Sequence, residues 1–376
     1  MRYLASTLLF LFVALSAFAQ QGAITNAILY HKDGELDKAL TEIEKAVQHE
    51  KTKNSPEAWY YRGVIFEAIS YSENPQYQQL SENAPAAAYE SFTKSMSLDE
   101  KKAKYYKLSS EKIPNLYPAF INKGYSDYEG HKFDNAVKNF EMAQQVNPSD
   151  TTGYLYAMYA AEELERYDLI KKYISSLSGI GYKSAYLHYN LIHIVQNIDK
   201  DNAKALELSE KALKDFPGNA MLLEQQTNIY IVSNKREEAI ANLDKLYKLN
   251  PKDVTVLAQL GVLHDRSGDK DKALNYYKEA IAVEPDNYVA NFNSAVIYYD
   301  KGNKSNEKLR KFTMNSDLKE KAKVEQETED HFNKALKYAE IALKKSKDPE
   351  DTKNIQLLIS EINKVLGPRE KQKSLH

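Results

Sequence analysis

Residues 254–287 read VTVLAQLGVLHDRSGDKDKALNYYKEAIAVEPDN. Leu257, Leu260, Gly261 and His264 recur at the three- and four-residue spacing that places side chains on one face of a helix. Gly268 breaks that helix, Ala273, Tyr277 and Ala280 restart the period, and Pro285 ends it. The stretch is therefore an αα-hairpin of two short amphipathic helices. One hairpin cannot bury both apolar faces, so it must stack on copies of itself.

Copies lie on both sides. Ala273, the small residue that opens the second helix, has equivalents at Ala39, Ala88, Ala136, Ile170, Ala205, Ala239 and Ala335. From Ile170 to Ala273 the steps are 35, 34 and 34, and Pro217, Pro251 and Pro285 are spaced 34 apart. These residues resemble the tetratricopeptide repeat, whose 34-residue pattern places small residues at positions 8, 20 and 27 and bulky ones at 4, 7, 11, 17 and 24. Small residues let two helix backbones approach, and bulky ones fill the space beside them.

The resemblance implies an all-α fold, a right-handed superhelical solenoid of about eight helix–turn–helix hairpins. The expected repeats are 20–53, 56–100, 117–150, 151–184, 186–219, 220–253, 254–287 and 288–349, followed by a capping helix over 350–367, closed by Gly367-Pro368, and a charged tail over 368–376. The second repeat carries extra residues around SENPQYQQLSENAP. The segment from Lys101 to Ile113 is expected to lengthen the helix before it. The long insert 303–331 in the eighth repeat is charged and holds no Gly or Pro, which predicts elongated helices.

Composition narrows the function. The chain has 376 residues, a formal net charge of −2 and 43% hydrophobic residues. That is too apolar for a disordered chain and lacks the basic excess that nucleic acid binding favours. There is no cysteine, which excludes disulfides, thiolate metal sites and cysteine nucleophiles. Arg2, the apolar run LLFLFVAL from Leu8 and the Ala17-Phe18-Ala19 motif form the three parts of a signal peptide over 1–19. Export to the periplasm or beyond the cell is the expectation, with no membrane span in the mature chain. The FAQ ending, the run NLYPAFINKG before a strong repeat and the late charged insert also resemble the layout of secreted tetratricopeptide proteins of Bacteroidetes-type bacteria.

No catalytic or metal-binding constellation emerges, and no cofactor is implied. No histidine pair has the i, i+4 spacing that holds zinc on a helix, and His264 reads as a packed core residue. Ser91–Lys94, Ser109–Lys112 and Ser305–Lys308 match S-x-x-K, but three matches in a lysine-rich chain without K-T-G read as chance. Gly179-Ile180-Gly181 follows no strand and reads as a break between hairpins.

What remains is a surface. In the family that the chain resembles, first helices line a concave face through positions 2, 5, 9, 12 and 13. Carried over, position 5 gives Tyr60, Ile121, Leu155, Asn190, Glu224, Ala258 and Phe292, and position 9 gives Val64, Tyr125, Tyr159, Ile194, Asn228, Val262 and Val296. Position 12 adds Tyr128 and Tyr299, and the charges nearby, among them Glu129, Glu162, Glu163 and Asp265, are mostly acidic. The expected anchors are Tyr60, Ile121, Tyr125, Tyr128, Tyr159, Ile194, Phe292 and Tyr299, because tyrosine and aliphatic side chains give rigid contact with a hydrogen-bonding tip. The basic clamp that some relatives use for acidic C-terminal peptides is not expected, since only Asn228 meets its pattern and Glu224 lies beside it. The expected function is a non-enzymatic scaffold that binds a protein or extended peptide. An envelope carbohydrate binder and a self-assembling structural component are the alternatives.

Overall fold

The computed structural model describes residues 22–101, 103–313 and 317–373, with side chains to Gly367. The signal peptide expected over 1–19 lies outside the described residues, as does the end of the tail. The described residues are helical throughout, with no strand among them. Two compact units follow one another along the chain, Met1–Leu187 and His188–His376.

The first unit pairs α1 (22–32) with α2 (Leu36–Gln48), α3 (Pro56–Ser70) with α5 (Ala84–Leu98), α7 (Tyr117–Glu129) with α8 (Phe133–Val146), and α9 (Thr151–Glu163) with α10 (Tyr167–Gly179). The short α4 (Pro75–Gln78) sits inside the second hairpin, and α6 (Lys104–Lys112) with a 3-10 turn (Ile113–Leu116) separates the second from the third. Helix α11 (Ala185–Asn197) starts at the end of this unit. The second unit continues with α12 (Asn202–Asp215), α13 (Ala220–Val232) with α14 (Arg236–Leu249), α15 (Val254–Arg266) with α16 (Lys270–Val283), α17 (Tyr288–Leu309) with α18 (Leu318–Lys345), and α19 (Pro349–Lys373).

Three local devices repeat. The first starts each regular hairpin. Two residues after Pro148, Pro217, Pro251 and Pro285 stand Asp150, Asn219, Asp253 and Asn287, and each side chain accepts a backbone N–H of the helix that follows. Such a cap is worth about 1 kcal/mol. The second is the turn at position 15. Gly34, His131, Glu165, Lys200, Asn234 and Gly268 all adopt positive φ there, between 52° and 86°. Only glycine takes that backbone without steric cost.

The third device locks the two helices together. A Cβ on Gly63, Gly124 or Gly261 would fall 2.5, 2.5 and 2.3 Å from the ring of Phe92, Phe140 and Tyr277 respectively. Position 8 must therefore be small wherever position 24 is aromatic. Position 20 follows the same logic, since Ala39, Ala88, Ala136, Ala205, Ala239, Ala273 and Ala335 are all fully buried.

The eighth hairpin extends this lock rather than abandoning it. Ala295 faces the cluster of Ala339, Ala342 and Ile355. Seven residues further along α17 and seven back along α18, Gly302 lies under Phe332, 3.0 Å from the ring to an added Cβ. Val324 and Thr328 carry the buried stripe further out. Both helices are elongated, as the absence of Gly and Pro implied.

Two segments depart from expectation. The region after α5 does not lengthen that helix. Asp99 turns extended, and its carboxylate accepts the backbone N–H groups of Tyr105 and Tyr106 at 3.0 and 3.1 Å, so α6 starts as a separate helix. At the other end, α19 does not close at Gly367-Pro368 but runs to Lys373. Pro368 forfeits one backbone hydrogen bond, but the residues after it are good helix formers and carry the helix on. Ile355, Ile362 and Leu366 of α19 are buried, and the last two join the cluster of Ile297, Phe332 and Ala335.

Candidate interaction faces

The first helices of successive hairpins carry every expected anchor, but the structure brings only some of them together. In the first unit Tyr125 and Tyr128 on α7 meet Tyr156 and Tyr159 on α9. The Tyr125 and Tyr156 ring centroids are 4.3 Å apart, and those of Tyr156 and Tyr159 are 5.8 Å apart. The Tyr128 hydroxyl donates to Glu163 at 3.4 Å. Tyr186, at the start of α11, donates to both oxygens of Glu162 at 3.2 and 3.3 Å. Tyr182 and Tyr186 stay 36% and 40% exposed, so the edge of this face is open.

The electrostatics of the face are uniform in sign. Burial pushes the Tyr125 phenol up to about 12, helped by Tyr156. Tyr128 is raised by burial and then by Glu163, Glu162 and Glu129. Tyr159 is raised by burial, by Tyr186 and by Glu162. Glu162 is itself raised, first by burial. Carboxylates act on Tyr128 and Tyr159, whereas the neighbours that act on Tyr125 are Tyr156 and Tyr159.

The other anchors sit differently. Tyr60 packs under the separate helix α6, with its ring 5.6 Å from Tyr105, and touches Tyr61 and Phe92. Tyr105 in turn donates to Glu57 at 2.5 Å, and Lys112 pairs with Glu67 at 2.8 Å. The chain itself thus covers that stretch of α3. Ile121 packs half-buried against the core of the first unit. Ile194 is 3% exposed and offers no surface, because α11 carries apolar residues on more than one side. Phe292 stacks on Tyr288 at 5.9 Å and packs against the cluster that includes Ile355 of α19. Tyr299 lies edge-on to Phe332 within its own hairpin.

The second unit holds a different feature. A cavity of about 390 Å³ opens between α13, α15 and α17. Ile231, Ala258, Val262, Leu263 and Val289 give it apolar walls, and Thr255, Gln259, Asn287 and Arg266 stand among them. Ala258 and Val262 occupy positions 5 and 9 but are too small to read as anchors. Their smallness is the signal: alanine at a position filled by Tyr60, Ile121 and Phe292 elsewhere leaves a hole. Tyr156 at position 6 and Tyr186 at position 1 escaped because those positions were not counted as facing outward.

His264 and Ser91 are both held by packing. His264 is 7% exposed and stacks on Tyr276 at 5.5 Å. Ser91 is fully buried, donates to the Ala87 carbonyl at 2.6 Å and accepts from Arg62 at 2.7 Å, while Lys94 is exposed. Among the described residues no group of three or more His, Asp or Glu side chains is placed to hold a metal ion. Among them, too, no helix is long and apolar enough to cross a membrane.

A series of stacked helical hairpins that displays side chains from its first helices defines a helical repeat protein. The tetratricopeptide repeat family model matches residues 254–287. The capped, glycine-locked hairpin found there recurs along both units, which form a series of helical hairpins of the tetratricopeptide repeat type. Over 110 residues the chain is 32% identical to the photosystem I assembly protein Ycf3 of Rippkaea orientalis, a match that covers 28% of this chain and 56% of that one. The chain thus spans little more than half the length of that relative. Similar solved structures include YrrB, described as a TPR protein with an unusual peptide-binding site. It is 18% identical, with 54% of this chain and 96% of that one covered at a TM-score of 0.39. A TPR repeats protein from Bacteroides fragilis is 19% identical, with 58% and 99% covered at a TM-score of 0.37.

Proposed function

We propose that the chain is a non-enzymatic scaffold of the cell envelope or extracellular space that holds a protein or extended peptide against its first helices. The observation that carries this reading is the cavity between α13, α15 and α17. Its apolar walls and the polar groups among them suit an apolar side chain on an extended backbone, the usual division of labour in a binding pocket. The tyrosines of α7 and α9 supply a second contact area of the type enriched at interfaces. Export rests on the signal-peptide pattern of residues 1–19.

The test is a crosslinking pull-down from the native envelope with two variants beside the wild type. Ala258→Leu fills the cavity, and the triple variant Tyr125→Ala, Tyr128→Ala, Tyr159→Ala strips the tyrosine face. Helical content by circular dichroism confirms that each folds. Loss of the same captured protein from either variant supports the scaffold. Retention of every captured protein by both would sink it. A glycan array, with hits that survive both substitutions, would favour the carbohydrate reading instead.

A further inference from the structure

The tyrosine face of the first unit has a chemistry of its own. Four half-buried tyrosine rings on α7 and α9 stand beside Glu162 and Glu163, and the hydroxyls of Tyr128 and Tyr186 point at those carboxylates. A ring face attracts a cation through its quadrupole, and a carboxylate beside it adds a full opposite charge. Carboxylates partly screened from water by neighbouring rings interact more strongly than exposed ones. An acidic partner would meet repulsion here.

From this charge complementarity we infer that the α7–α9 face, bordered by Tyr186, binds a cationic segment of the partner protein, with lysine or arginine side chains laid over the tyrosine rings and paired with Glu162 and Glu163. The inference rests on the scaffold reading above and gives its partner a charge. Burial raises the Tyr128 and Tyr159 phenols first, and the carboxylates beside them, Glu163 and Glu162 among them, raise them further, which agrees with it. It also separates this face from the apolar cavity of the second unit, which makes no such demand.

Fluorescence anisotropy tests it with the whole chain and two labelled peptides of equal length, one rich in lysine and arginine, the other in glutamate. The basic peptide should bind, the acidic one should not, and the double variant Glu162→Gln, Glu163→Gln should weaken binding roughly tenfold. Gln keeps the side-chain size and still accepts from Tyr186, so the fold is retained. Affinity for the basic peptide should also fall as salt rises. Equal binding of both peptides, no binding of the basic one, or a double variant that matches wild type would overturn the inference. The scaffold reading fails separately, when the tyrosine-stripped and cavity-filled variants keep every captured partner. If those variants lose a partner whose capture the double variant leaves intact, the scaffold stands and the cationic partner falls.

Discussion

The third and seventh hairpins are the same length and use the same lock, yet they join their neighbours by different chemistry. In the third, position 11 is Asp127 and position 23 is Asn139. Lys123 reaches Asp127 at 2.5 Å, the Asn139 amide donates to Asp127 at 2.9 Å, and Asn83 of the preceding hairpin donates to Asn139 at 2.9 Å. In the seventh the same two positions hold His264 and Tyr276. Their rings stack, and Tyr276 meets Tyr247 of the preceding hairpin at 6.1 Å. Positions 8, 20 and 24 are thus fixed by the geometry of one hairpin. Positions 11 and 23 are set by the neighbour, and positions 5 and 9 are left for whatever lies outside.

The largest effect should come from breaking the polar joint. Asp127 is 3% exposed, and Asp127→Ala would leave Lys123 without its partner and take from the Asn139 amide one of its two acceptors, the Asn135 carbonyl being the other. Removing one member of a buried pair costs about 3–5 kcal/mol. Lys123 keeps partial access to water, so the lower end, about 3 kcal/mol, is expected from the urea midpoint. His264→Phe at the equivalent site should cost little, because the His264 Nε2 is buried without a hydrogen-bond partner and a phenyl ring preserves the stack. Equal losses would mean that the polar chain is not a joint.

Next come the positions that the two hairpins share. Ala136→Leu and Ala273→Leu should each cost about 1–3 kcal/mol, since both sites are closed to solvent and helix approach depends on a methyl-sized residue. Lys270→Leu at the first residue of α16 loses an ion pair with Asp300 in which both side chains are about one-third exposed or more. Such pairs contribute about 1 kcal/mol at most. Equal costs for Ala273→Leu and Lys270→Leu would break the register that ties the hairpins together.

This division explains what the sequence disclosed. Ala136 and Ala273 were legible because any hairpin needs a small residue there, whatever it binds. Gly302 under Phe332 was half legible: the glycine was seen, but its partner lies 30 residues away on a helix of unusual length. The asparagine and aspartate caps two residues after each proline were in plain view and carry the period as strongly as the prolines do. The site was harder. Tyr125, Tyr128 and Tyr159 lie together, but Tyr60 could not be known to lie beneath α6 before Asp99 was seen to start that helix. The cavity around Ala258 is a property of what is missing between three helices, and residue patterns that reward bulk pass over it.

The turn offers a smaller contrast between the two hairpins. Position 15 is His131 in the third and Gly268 in the seventh, at φ of 56° and 86°. Nothing lies within 4 Å of a Cβ added to Gly268, so Gly268→Ala isolates the backbone cost, about 1 kcal/mol. His131→Gly should run the other way and stabilise the third hairpin by about 0.5 kcal/mol, the relief of left-handed strain offset by the extra freedom of glycine in the unfolded chain. The His131 ring also lies 5.7 Å from Phe133, a contact that glycine gives up, so a gain at all would show that the backbone dominates.

The faintest difference is acid sensitivity. Burial holds the His264 pKa below its ordinary value, and Lys272 pushes the same way. The unfolded chain takes up a proton near pH 6.5 that the folded seventh hairpin resists. As pH falls through that value the unfolded state binds more protons, so stability declines with falling pH until the folded state protonates in turn. His31 and His331 are lowered by burial too and contribute with the same sign. The informative quantity is therefore the change in urea midpoint between about pH 7.5 and about pH 5, compared for wild type and His264→Phe. The phenylalanine variant should lose less on acidification. An unchanged slope would mean that the stacked joint opens to water before it titrates, and that the seventh hairpin is held to its neighbour less firmly than the third.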